Sequence, residues 1–118
     1  MTTINQVISE LQKKKRHIYD DAEVAGWISR LDCEIARGVL RMDEAPDRRF
    51  PQDGDVPLLV DAPYDDVYLL YCAAQIDYFN AELDAYAGSA AMFNSRFEEF
   101  AKDHMRRHRP KSSGQIRL

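Results

Sequence analysis

Apolar residues recur at helical spacing through most of the chain, and the places where that spacing fails mark its divisions. Thr3 and Gln6 stand three apart, as in a capping box, where hydroxyl and amide each satisfy a backbone donor at a helix start. Ile4, Val7, Ile8 and Leu11 follow as one narrow stripe, and the run Lys13 to Arg16 falls where cations suit a helix end. Asp20 and Glu23 repeat the capping spacing, with Tyr19 and Val24 at the two positions of a hydrophobic staple. At about 100° per residue, Val24, Trp27, Ile28, Leu31, Ile35, Val39 and Met42 share one face, while Glu23, Arg30, Glu34, Arg37 and Arg41 take the other. These patterns predict helices over about 3–15 and 20–42.

From Met42 to Pro63 the periodicity stops. Pro46, Pro51, Pro57 and Gly54 break any helix, and five aspartates make the stretch acidic. A third helix is predicted over about 63–87, with Pro63 in its first turn and Asp65 and Asp66 at the positive end of its dipole. It is apolar on most of its circumference. One lobe holds Val67, Leu70, Tyr71, Ala74, Tyr78 and Ala85; the other holds Tyr68, Leu69, Cys72, Ile76, Phe79, Leu83 and Tyr86. Three other helices from so short a chain leave one lobe in want of cover, so Tyr68, Cys72, Ile76, Phe79, Leu83 and Tyr86 are the candidate subunit interface. Gly88 reads as a left-handed C-cap and Ser89 as the next N-cap, giving a tight hairpin into a fourth helix over about 89–108. Phe93, Phe97 and Phe100 form its buried face, and Pro110 ends it. The fold class is therefore all-α, four helices with a long irregular loop at 43–62. Residues 1–109 are expected to form one domain, and residues 110–118 a flexible basic tail.

The length of 118 residues allows one small domain with much surface per residue, which favours association. The formal charge of −4 conceals an arrangement. Residues 1–19 carry four cations against Glu10, and residues 101–118 carry six against Asp103, so the acid lies between two basic ends. Cys33 and Cys72 have no metal or redox spacing and are expected as free thiols in a reducing compartment. No apolar run is long enough for a membrane span or a secretion signal, so no membrane partner is expected.

Catalytic chemistry finds little foothold. His104 and His108 have the one-turn spacing of helical metal ligands, but they also continue the Phe93, Phe97, Phe100 face, and the second reading is favoured. Asp65 and Asp66 project about 100° apart on a helix and cannot share a substrate. There is no Gly-rich phosphate cradle and no nucleophile beside a recognisable base. The expectation is a protein that is not an enzyme and takes neither cofactor nor metal. The basic end, with Arg106, Arg107, Arg109, Lys111 and Arg117, can dock on an acidic protein surface or contact phosphates.

Residues 62–111 resemble the small head–tail connector, or adaptor, proteins of tailed bacteriophages and prophages. The likeness rests on Pro63-Tyr64-Asp65-Asp66, on Ile76-Asp77-Tyr78-Phe79-Asn80 with Glu82 and Tyr86, and on Ser89 to Asn94 leading into Phe97 and Phe100. Residues 1–42 agree in helix layout more than in letters, and Ala87-Gly88 stands where the family pattern has asparagines. The resemblance implies a homo-oligomeric ring of about a dozen copies. Such a ring docks on the portal protein, extends the DNA channel and meets a tail-completion protein. Its place is the virion neck, after assembly in the bacterial host cytoplasm. An acidic channel wall lets DNA pass without sticking, and Asp43, Glu44, Asp47, Asp53 and Asp55 are the candidate lining. The alternative is a small helical nucleic-acid-binding or regulatory module that acts through the basic C-terminal residues.

Overall fold

A computed structural model describes residues 2–108. It contains four helices: α1 (Ile4–Lys14), α2 (Asp21–Gly38), α3 (Asp66–Phe79) and α4 (Leu83–Arg107). Among the described residues there is no strand, only an isolated antiparallel bridge between Thr3 and Pro57. The all-α, four-helix class is thus as expected. The expected tail at 110–118 lies outside the described residues, as do Arg109, Lys111 and Arg117.

Both early helix starts follow their sequence signals. Thr3 Oγ1 accepts from the Gln6 N–H at 3.2 Å while Gln6 Oε1 accepts from the Thr3 N–H at 3.2 Å. Asp20 Oδ1 accepts from the Glu23 N–H at 2.8 Å. The end of α2 is earlier than its apolar stripe suggested. Leu40 N–H turns back to the Ile35 carbonyl, Met42 N–H reaches the Ala36 carbonyl, and Arg41 takes φ 57°. Chain direction changes there, which leaves Met42 40% exposed instead of on the buried face.

The hairpin between the last two helices lies elsewhere than predicted. It turns at Asn80–Glu82, so Gly88 and Ser89 sit inside α4 as ordinary helical residues. Ala81 N–H bonds the Tyr78 carbonyl and Glu82 N–H the Asp77 carbonyl, the two bonds of a Schellman closure, with Ala81 at φ 58°. Glycine is the usual residue for that conformation, and an alanine there gives no sequence signal.

Helix α3 is central and touches the other three, whereas the backbone of α4 packs on α3 alone. Thr2 Oγ1 donates to Asp65 and Lys15 Nζ pairs with Asp77 at 2.9 Å, so α1 runs parallel to α3. Trp27 stacks near Phe79 while Asp32 meets Tyr68, so α2 runs antiparallel to α3. Arg96 reaches Asp66 and Ser89 reaches Asp77, which sets α4 antiparallel as well. The core is closed by α1, α2, α3 and two loop residues, Leu58 and Val60, with Phe100 the one residue α4 buries in it. The result is a slab of 53 × 35 × 21 Å.

Candidate functional site

The loop over residues 39–65 is held by a buried carboxylate that periodicity alone did not bring forward. Asp32 lies on the apolar face of α2, one turn from Ile28 and Ile35, and is fully buried. Its Oδ2 accepts from Arg48 Nε at 3.0 Å, and a terminal Arg48 nitrogen completes the ion pair, also at 3.0 Å. Its Oδ1 accepts from the Tyr68 hydroxyl at 2.6 Å and from the Leu59 N–H at 3.2 Å. The same Tyr68 hydroxyl accepts from the Val60 N–H at 3.0 Å. A buried charge requires this degree of satisfaction, and here it fastens two parts of the loop, at Arg48 and at Leu59–Val60, to α2 and α3. Burial first, and then the Asp32 charge and hydrogen bond, push the Tyr68 phenol far above its usual range, so it remains a neutral donor.

On this fixed base the five candidate channel acids are presented unequally. Asp53 accepts from the Arg49 N–H at 2.8 Å, and Asp55 accepts from Asn5 Nδ2 at 2.8 Å. Asp47 lies 3.4 Å from Arg49, with both side chains about three-quarters exposed. Asp43 and Glu44 are exposed and have no ion pair among the described residues. The turn at Gly54 sits against the start of α1: its carbonyl accepts from the Asn5 N–H, and a Cβ there would lie 2.7 Å from Asn5 Nδ2.

The six candidate interface residues separate into two groups. Tyr68, Cys72 and Ile76 are enclosed by the chain's own helices at 0%, 0% and 1% exposure, so in this fold they are core residues and not a surface for another subunit. Their cover comes from α1, α2 and the loop, Tyr68 bonding Asp32 and the Val60 N–H, while α4 packs against Tyr64 and Tyr71 on another side. Phe79 and Leu83 are 53% and 73% exposed, and Tyr86 is half-buried. With Tyr78 they surround the α3–α4 turn, where rings continue inward from Tyr86 through Tyr78 and Phe79 to Trp27 and Tyr19.

Asp77 joins three elements at that end. It is 3% exposed, paired with Lys15 Nζ and bonded by Ser89 Oγ at 2.7 Å. Burial works to raise its carboxyl, but the Lys15 and Ser89 bonds and the Lys15 charge together hold it below the ordinary 3.8. At the opposite end Arg96 spans α4 and the start of α3. It contacts both Asp66 oxygens, Glu99 and the Pro63 carbonyl, and lies 4.6 Å over the Tyr64 ring.

His104 and His108 extend a ladder of rings from Phe93 through Phe97 and Phe100, stacking on each other at 4.1 Å. Burial and then the neighbouring His108 lower the His104 pKa. Among the described residues no three His, Cys, Asp or Glu side chains gather as metal ligands. Burial pushes the Cys72 thiol up to about 12, so it is not poised as a thiolate, and the Cys33 thiol donates to the Pro46 carbonyl. An open groove of about 540 Å³ between α1 and α3 brings Thr2, Gln6, Glu10, Lys14 and Asp65 together without a nucleophile beside a base. Arg106 and Arg107 are exposed at the end of α4, each paired with Asp103. No described helix is long and apolar enough to cross a membrane.

Comparison with protein-family models, curated protein sequences and solved structures finds no match to this chain.

Proposed function

We propose that this protein is a non-enzymatic structural protomer of a phage or prophage head–tail connector ring. It docks on a portal, extends the DNA channel and offers a platform to a tail-completion protein in the virion neck, after assembly in the host cytoplasm. The observation that carries the reading is α4. Its 25 residues fully bury only Phe100, while Leu83, Met92 and Met105 are 73%, 61% and 69% exposed. A helix with so little cover of its own is suited to completion by other chains. The resemblance over residues 62–111 falls on this α3–α4 hairpin. Loop carboxylates held on the Asp32 anchor give DNA a repelling surface, and the basic end of α4 suits an acidic protein partner.

Native mass spectrometry and sedimentation, alone and with the cognate portal ring, test the reading. A closed oligomer on the portal is expected. A monomer at every concentration and in the presence of the portal contradicts it. Duplex binding whose salt slope vanishes on deleting residues 106–118 would favour the nucleic-acid module instead.

A further inference from the structure

Sequence and fold treat residues 80–82 differently. Tyr64 to Ala87 hold neither glycine nor proline, and their apolar spacing runs on as one helix, yet the chain reverses at Asn80–Glu82. Ala81 stands there at φ 58°, a conformation that costs an alanine more than a glycine, whereas alanine is the best of helix formers. No side chain caps the start of α4. The turn is closed by the Ala81 N–H on the Tyr78 carbonyl and the Glu82 N–H on the Asp77 carbonyl. A continuous helix gives the same two donors the same two carbonyls in exchanged order, so straightening the turn loses neither bond.

Among the helices, α4 packs only on α3. Its hydrogen bonds and ring contacts beyond itself go to Pro63, Tyr64, Asp66, Tyr71, Asp77 and Tyr78, all before the turn. A second copy of the chain presents the same residues, so its α4 fits this α3 with no new complementarity. Straightening also gives the apolar residues at the turn a common direction. Phe79 and Leu83, 53% and 73% exposed, and half-buried Tyr86 continue the face of Tyr68, Cys72 and Ile76 on a straight helix at about 100° per residue, with Glu82 and Asp84 to either side.

We infer that residues 80–82 are a hinge and that α4 is exchanged between copies of this chain. The hinge straightens, α3 and α4 become one helix over 66–107, and α4 docks on a neighbouring chain's α3 through the contacts it makes in its own. The face of Phe79, Leu83 and Tyr86 packs against the neighbour where the long helices cross. Exchange of an identical element is a low-cost route to association, because only the hinge and that crossing differ between the two states, and a short strained connection invites it. The inference goes beyond the connector-ring reading, since exchange requires only a second copy.

The test is a distance within one chain. The full-length protein with Cys33→Ser, Asp61→Cys and Met105→Cys is spin-labelled at positions 61 and 105, both exposed, while buried Cys72 takes no label. It is diluted into unlabelled protein, so that each assembly holds one labelled chain, and read by pulsed electron paramagnetic resonance. In the closed fold Phe100 meets Tyr64 and the labels lie within about 25 Å; in the straight one they are more than about 45 Å apart, from the rise per residue over 66–105. Concentrated protein, alone or on the cognate portal, should form oligomers with the long distance, and dilution should return monomers with the short one. Ala81→Gly eases the turn and should raise the concentration needed for assembly at least about tenfold. Ala81→Val, which left-handed backbone disfavours further, should lower it. Oligomers that keep the short distance overturn the exchange and leave the ring standing. A long distance in monomers, or assembly that Ala81→Gly leaves unchanged, also overturns it. A chain that stays monomeric at every concentration and on the portal overturns both.

Discussion

Helices α2 and α4 show two ways for one sequence to use an amphipathic helix. In α2, eight of eighteen residues are buried, and even the polar member Asp32 has all its partners supplied within the chain. In α4, which is longer, one residue of twenty-five is buried and the Phe93, Phe97, Phe100 ladder rests on Tyr71 of α3 and on Tyr64 just before it. The first is finished by its own fold. The second packs along α3 and keeps Leu83, Met92 and Met105 exposed. Stability should therefore be concentrated in α1, α2, α3 and the anchored loop, while α4 contributes mainly surface.

The strongest way to break that contrast is at the loop anchor. Asp32→Ala leaves Arg48 buried without its carboxylate and should cost about 3–5 kcal/mol in urea unfolding, with early proteolysis within residues 43–57. Tyr68→Phe keeps the ring but removes the bridge between Asp32 and the Val60 N–H, for about 1–3 kcal/mol. Acid tests the Asp77 junction. Its carboxyl is held below 3.8, so its contribution is complete above that pH and is lost as pH falls through the folded value. An Asp77→Asn variant should be less stable at neutral pH and should lack that part of the acid dependence, as read from denaturation midpoints across about pH 2 to 6.

Smaller effects sharpen the account of α4. Gly88→Ala should stabilise by about 0.5–1 kcal/mol, because position 88 is helical and nothing lies within 4 Å of a Cβ placed there. A loss of stability would return the hairpin to Gly88. Ala81→Gly should stabilise by up to about 1 kcal/mol by relieving a left-handed alanine. Met92→Ser and Met105→Ser should shift the melting of the isolated protein least, within about 0.5 kcal/mol, while weakening assembly.

These positions also show what the sequence could reveal. Thr3 with Gln6 and Asp20 with Glu23 announce two helix starts because capping is local chemistry read over four residues. The apolar face of α2 from Val24 to Ile35 was equally legible, since burial enforces its spacing. Asp32 was not singled out, although a carboxylate between Ile28 and Ile35 calls for a partner and the loop arginines at 48 and 49 offer one. Its selection of Arg48 depends on how the loop folds. The turn at Ala81 carries no glycine and so no signal, and misplacing it by a few residues lengthened α3. Tyr68, Cys72 and Ile76 looked like surface for another reason, since spacing does not say which lobe of α3 the chain's own α1, α2 and loop cover. Lys15 with Asp77 and Arg96 with Asp66 join residues 62 and 30 positions apart, a relation periodicity does not contain.

Hydrogen–deuterium exchange of the protein, free and on the cognate portal, tests most directly whether α4 is the part that other chains complete. The account predicts slow exchange in α2 and α3 in both states, and faster exchange over 83–107 in the free protein that slows on assembly. Equal protection of α2 and α4 in the free protein, or added protection on assembly confined to α1 to α3, would contradict it.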